Sequence, residues 1–364
     1  METEISGTYR YMGRSLSDAG GDSSGAFSDC NSDHSGEFSP SAAGGGGAAL
    51  RLLVPFSAGD YSEDDLRALI AELESPTATV EAQRGAAMEI RLLAKHSSEN
   101  RLRIARAGAV RPLVALLSSP DPLLQEHGVT AILNLSLLDE NKDLITAAGA
   151  IKPLVRALRS ASSAARENAA CALLRLSYSD ALKAAIARSG AIPPLVSMLE
   201  SGGARAKKDA ATALYALCSV KENKIRAVEA GIVRPLLEMM AETEGGMVDK
   251  AGCVLGRVAT EEVGRAAAVE EGGIPVLVEV VEIGTQRQKE IATSTLLEIC
   301  DGSSNGAGAG AGAGAYRALV VREGAIPPLV ALSQSGTSRA KQKAEKLIEL
   351  LRQPRTAAGR VVDE

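Results

Sequence analysis

Three histidines (His34, His96, His127) and five cysteines (Cys30, Cys171, Cys218, Cys253, Cys300) are the side chains of this 364-residue chain best suited to proton transfer or nucleophilic attack near neutral pH. Catalysis would need such groups to converge, but the histidines lie on separate segments with no nucleophile pattern beside them. No GxSxG, Walker or HExxH motif is present. The Gly-rich stretch 302–314 lacks the GK[ST] of a phosphate loop and follows no strand, so it reads as a linker. Cys30 and His34 could begin a metal site, but no further ligands lie near them, and the cysteines form no CxxC pair. No catalytic residue, metal or cofactor is therefore expected. A second set of residues suits recognition. Arg84, His127, Asn168, Asp209 and Lys250 form one row, and Arg91, Asn134, Arg175, Arg257 and Glu298 another, with steps of 41 residues or its double after a first step of 43. Such rows can hold a partner chain by charge-assisted and bidentate hydrogen bonds.

The elements that position these rows follow from a ruler in the sequence. Gly108, Gly149, Gly190, Gly231 and Gly272 stand 41 residues apart, as do Leu113, Leu154, Leu195, Leu236 and Leu277. The next equivalents, Gly324 and Leu329, come after a step of 52, and the alternating Gly-Ala tract supplies the extra 11 residues. Each unit reads as a short helix (Glu140 to Ala148), a Gly turn, a second helix opened by Pro (Pro153), and a longer third helix (Ala165 to Ser177). A unit of this size cannot bury its apolar face alone, so the copies must stack into a solenoid.

Composition agrees with closely stacked helices. Apolar residues make up 45% of the chain, yet there are no Trp, three Phe and six Tyr, and the apolar mass is Ala, Leu, Val and Ile. No apolar run reaches the ~18–20 residues of a membrane span, and the first residues lack the apolar stretch of a secretory signal. Residues 1–60 carry eight acids and three bases, leaving the remainder neutral, which argues against a nucleic-acid partner. The scattered cysteines suit a reducing compartment, cytoplasm or nucleus.

The expected fold is all-α, a right-handed armadillo-repeat superhelix over 61–354. A partial unit (61–97) is followed by six repeats, with the Gly-Ala loop insertion at 302–315. A disordered Ser/Gly-rich acidic arm (1–60) and a disordered tail (355–364) flank it. The residues also resemble a particular family. Leu124–Ser136 (LQEHGVTAILNLS), Lys207–Leu214 (KKDAATAL), Gly246–Ala251 (GMVDKA), Gly272–Glu282 (GGIPVLVEVVE) and Glu323–Thr337 (EGAIPPLVALSQSGT) look like the armadillo region of plant U-box ubiquitin ligases. In that family a U-box precedes the repeats and recruits the ubiquitin-conjugating enzyme. Residues 1–60 have no apolar pattern able to fold that way, so the resemblance implies a recognition or scaffold module lacking the U-box, in plant regulatory signalling, with ubiquitin-ligase association as the alternative.

In such a solenoid the third helices line the concave face, and the two charged rows fall on it. Between the rows lie the small residues Ala87, Thr130, Cys171, Thr212, Cys253 and Ser294, leaving room for an extended peptide. The Trp and Asn ladder with which importin-alpha holds basic segments is missing: there is no Trp, and only Asn134 holds the Asn position. Arg84, Arg91, Arg175, Lys250 and Arg257 instead predict an acidic or phosphorylated partner, unless neighbouring acids such as Glu89 and Glu167 pair with them. Asn100, Asn141 and Asn223, recurring at the first helices, are expected to act as N-caps. Ser15, Ser17 and Ser39 have short kinase-like contexts, and phosphates there could bring the arm onto a basic groove.

Overall fold

A computed structural model describes residues 61–242, 246–301 and 313–353. The arm with Ser15, Ser17 and Ser39, most of the Gly-Ala tract and the tail lie outside the described residues. Within them the chain forms twenty α-helices and no strand. The first unit has two, α1 (Glu63–Glu74) and α2 (Val80–His96). Six triplets follow: α3 (Ser98–Arg106), α4 (Val110–Leu116) and α5 (Pro122–Ser136); α6 (Lys142–Ala147), α7 (Ile151–Ala157) and α8 (Ser163–Ser177); α9 (Asp180–Arg188), α10 (Ile192–Ser201) and α11 (Ala204–Leu217). The remaining three are α12 (Lys221–Glu229), α13 (Val233–Ala241) and α14 (Val248–Val258); α15 (Glu262–Glu270), α16 (Gly273–Ile283) and α17 (Gln286–Asp301); α18 (Ala313–Arg322), α19 (Ile326–Ser335) and α20 (Ser338–Arg352).

The ruler has a conformational cause. Gly108, Gly149, Gly190, Gly231, Gly272 and Gly324 all have φ between 77° and 95°, the left-handed region where a Cβ is penalised. At Gly149 this geometry lets Ala150 N–H reach back to Ile145 O and Gly149 N–H to Thr146 O, closing the short first helix in a Schellman-type turn. The periodic leucines, Leu113 through Leu329, are fully buried in one continuous core running from Leu66 to Leu350. Alanines between them let adjacent helices approach closely. The third helices are capped on the same ruler: Asp121, Ser162 and Thr337 accept from the N–H groups of Leu124, Ala165 and Ala340. Thr285 and Gln288 make a reciprocal pair at the start of α17.

Three expectations need correction. Second helices begin before their proline: α7 starts at Ile151, and Pro153 sits within the first turn, where its missing N–H costs nothing. Helix α18 takes in Ala313, Gly314 and Ala315, placed in the loop by the sequence; Ala313 and Val320 are its buried residues, and Val320 joins the core. The recurring asparagines do not cap by accepting. Asn141 is wholly buried and donates from Nδ2 to Arg101 O of the preceding unit and to Leu135 O at the end of α5, both at 3.1 Å. Asn223 repeats this with Lys183 O (3.3 Å) and Leu217 O (2.9 Å), and Asn100 donates to Leu93 O. They clamp one repeat to the next through carbonyls.

Beside each of these positions runs a column of bases: Arg101, Lys142, Lys183, Lys224, Arg265 and Arg317. Arg101 donates to Ala94 O and Lys95 O at the end of α2, Arg265 to Thr260 O beyond α14, and Arg317 to Cys300 O in α17. At these three arginines a cation meets orphan carbonyls at the negative end of the preceding third helix, stabilising both, whereas Lys142, Lys183 and Lys224 pair with Asp139, Asp180 and Glu261.

Candidate functional site

The seven third helices, α2, α5, α8, α11, α14, α17 and α20, pack side by side in chain order and build the concave wall. Its character changes along the array. In the first half, the polar residues are spent on one another. Arg84 donates from Nε to Asp121 Oδ1 at 3.0 Å and from Nη2 to Oδ2, a bidentate pair with the residue that caps α5. The Arg84 hydrogen bond, helped by the Leu124 N–H, holds the Asp121 carboxyl down at about 2. Arg91 Nη1 lies 3.1 Å from His127 Nδ1. A guanidinium only donates, so Nδ1 is the accepting nitrogen of a neutral ring. Burial pushes His127 below its ordinary value and the Arg91 charge adds to the effect; burial lowers Arg91 as well.

The pattern continues one step along. Asn134 Nδ2 donates to Arg91 O, and Asn168 Nδ2 donates to Thr130 Oγ1 at 2.9 Å. Asn168 Oδ1 accepts from Arg205, whose Nε lies 3.6 Å from Glu167 and 3.7 Å from Asp209. Burial raises the Asp209 carboxyl, although Arg205 opposes it. Ser160 and Ser162 donate to Gln125 and Glu126. Every one of these contacts except the Arg205–Asp209 pair joins one third helix, or the turn before it, to the next. Asn134, Asn168, Asp209 and Lys250 are buried, and of the small residues between the rows only Ser294 is half-exposed. Glu167 does pair with an arginine, but with Arg205 and not with a predicted residue; Glu89 accepts from Tyr61. Arg175 is half-buried, 5.9 Å from the Tyr178 ring.

The second half is open. A pocket of about 620 Å³ lies between α11, α14, α17 and α20. Arg257 forms one wall: its guanidinium lies 3.6 Å over the Tyr215 ring and donates to Tyr215 O at 3.2 Å. Arg287, Arg339 and Lys343 supply three more cations, against the carboxylates of Glu290 and Glu298. Arg287 lies 3.2 Å from Asp249, and Lys343 lies 3.4 Å from Glu290. Gly252, Gly256 and Cys253 also line the pocket. Thus Arg257 and Glu298 are the predicted residues that the fold brings to one cavity. Arg205, Arg287 and Arg339 went unpredicted, although the ruler of 41 and 52 residues aligns them: Arg205 and Arg287 stand 82 apart, Arg287 and Arg339 stand 52 apart.

Among the described residues no group of His, Cys, Asp and Glu is arranged to hold a metal ion, and no helix is long and apolar enough to cross a membrane. Residues 65–361 match the family described as the plant U-box protein ARM repeat region. U-box domain-containing protein 14 of Arabidopsis thaliana is 54% identical over 81 residues, 22% of this chain and 13% of that protein. The E3 ubiquitin-protein ligase SPL11 of Oryza sativa subsp. japonica is 51% identical over 76 residues, 21% of this chain and 11% of that protein. The matched segments thus span about an eighth of these relatives' lengths. A computationally designed armadillo repeat protein for modular peptide recognition superposes with a TM-score of 0.59 at 23% identity, covering 64% of this chain and 99% of that one. That likeness concerns the fold.

Proposed function

This chain belongs to the family of plant U-box protein ARM repeat regions, and on that footing we propose that it is a non-enzymatic protein-binding adaptor of plant regulatory signalling, at work in cytoplasm and nucleus. Its concave groove binds an extended segment of a partner protein that is acidic or phosphorylated. The observation that carries this reading is the pocket in the second half of the wall, where Arg257, Arg287, Arg339 and Lys343 converge from three helices on one open space, together with Glu290 and Glu298. Affinity comes from hydrogen bonds to the partner backbone, with a few charged anchors adding specificity. The test is proximity labelling in plant cells with the full chain and with Arg175 and Arg257 reversed to Glu. Loss of particular partners with helicity retained supports the groove; an unchanged partner set refutes it.

A second reading is favoured by the relatives, one of which is named as an E3 ubiquitin-protein ligase. Here the same groove selects a substrate while the ligase activity comes from a U-box elsewhere. Co-purification of ubiquitin conjugates or a U-box ligase, lost with the same reversals, supports it. Recovery of partners with neither favours the plain adaptor.

A further inference from the structure

The pocket in the second half of the wall has small residues on one side, among them Gly252 and Gly256. On the 41-residue ruler, Gly256 of α14 occupies the place held by Leu133, Leu174, Tyr215 and Leu297 in α5, α8, α11 and α17. The glycine lets Thr295 of α17 approach closely: a Cβ there would come within 2.9 Å of Thr295 Oγ1, so a larger side chain would displace that wall of the pocket. The gap has a hydroxyl- and backbone-lined floor at Gly252, Gly256 and Thr295. Arg257 is held rigid above it by stacking on Tyr215, and two further guanidiniums come from the first turns of α17 and α20.

Resting on the reading of the groove as a peptide-binding site, we infer that this pocket is an anchor subsite for one phosphorylated serine or threonine side chain within the bound segment. Three arguments favour a phosphate over a carboxylate. The donors come from three different helices, so they surround a group rather than face one edge of it, which suits three acceptor oxygens at the corners of a tetrahedron. Arginine outnumbers lysine three to one among the cations, and its planar fork is the group matched to phosphate. The volume of about 620 Å³ exceeds what a carboxylate needs and admits a phosphorylated side chain with its backbone running across the mouth. Third helices packed ~10 Å apart give a span of ~30 Å from α11 to α20, about nine residues of extended chain.

The experiment uses the full chain and fluorescein-labelled nine-residue peptide libraries with a fixed central residue, phosphoserine, Ser, Glu or Lys, and flanks drawn from Gly, Ala, Ser and Leu. Fluorescence anisotropy should show the phosphoserine library binding about ten-fold more tightly than the Ser library. Arg339→Glu, at an exposed position in the first turn of α20, should remove that preference. Gly256→Leu should also abolish it, where circular dichroism shows the fold intact. Occupancy should slow alkylation of Cys253 in the pocket wall and spare Cys171. Equal binding of phosphoserine and Ser libraries overturns the inference, as does a preference indifferent to Arg339→Glu. If that preference is instead lost in Arg175→Glu, the subsite is refuted while the groove stands. A Lys library binding best, or no library binding at all, overturns the groove reading as well.

Discussion

Replacing Asn141 by Asp tests how the repeats are joined. As an N-cap accepting from backbone N–H groups, Asn141 should tolerate Asp with little change and lose only about 1 kcal/mol on truncation to Ala. The structure gives the opposite polarity: Nδ2 donates to Arg101 O and Leu135 O, each at 3.1 Å, and the side chain accepts no capping hydrogen bond. Asn141→Ala removes two donated bonds, each with a net worth of about 0.5–1.5 kcal/mol, for a cost of about 2 kcal/mol. Asn141→Asp is worse. An ionised carboxylate in a fully buried site facing two carbonyl oxygens should cost at least about 3 kcal/mol. Burial raises the pKa of that introduced carboxyl above its unfolded value, so the deficit is small below pH ~4, where the group is protonated in both states, and grows as the pH rises. Urea unfolding of the full chain, followed by circular dichroism at pH 4 and pH 7, measures both effects. Asn223→Asp should behave alike, while Asn100→Asp should be milder, because Asn100 donates to one carbonyl and is less buried. Stability of Asn141→Asp within ~0.5 kcal/mol of the parent at pH 7 would refute the clamp and restore the cap.

Gly149→Ala forces a Cβ into φ 78° with no steric neighbour, so the whole cost is conformational, about 1–2 kcal/mol by denaturant unfolding. Asp121, held at about 2 by Arg84 against an ordinary value of 3.8, contributes stability that is fully present above pH ~4 and lost as pH falls through about 2. Arg84→Ala should flatten the acid limb of the stability profile. Cys218 and Cys300, pushed up to about 12 by burial, should resist iodoacetamide at pH 8 in the native protein and react once urea is added; native labelling at the rate of a free thiol would contradict their placement.

The architecture was legible because its determinants are local and repeated. A glycine needing positive φ, a proline in the first turn of a helix and a leucine on the buried face each act within a few residues, so a spacing of 41 could report all three. The column of bases at 101, 142, 183, 224, 265 and 317 is visible in the spacing too, but which of them meet carbonyls of the preceding third helix (Arg101, Arg265 and Arg317) and which meet acids (Lys142, Lys183 and Lys224) is not. Side-chain partnerships were not legible. Arg84 and Asp121 are 37 residues apart, Arg91 and His127 are 36 apart, and the donors that clamp the repeats reach across 40. Whether a groove cation faces a ligand or a carboxylate of the next repeat depends on how far one helix slides and rotates against another, and packing alone sets that. The same holds for the polarity of Asn141: its type permits accepting or donating, and only its burial against two carbonyls decides. The pocket between α11, α14, α17 and α20 is likewise set by packing, because Tyr215, Arg257 and Arg339 converge on it from three different helices.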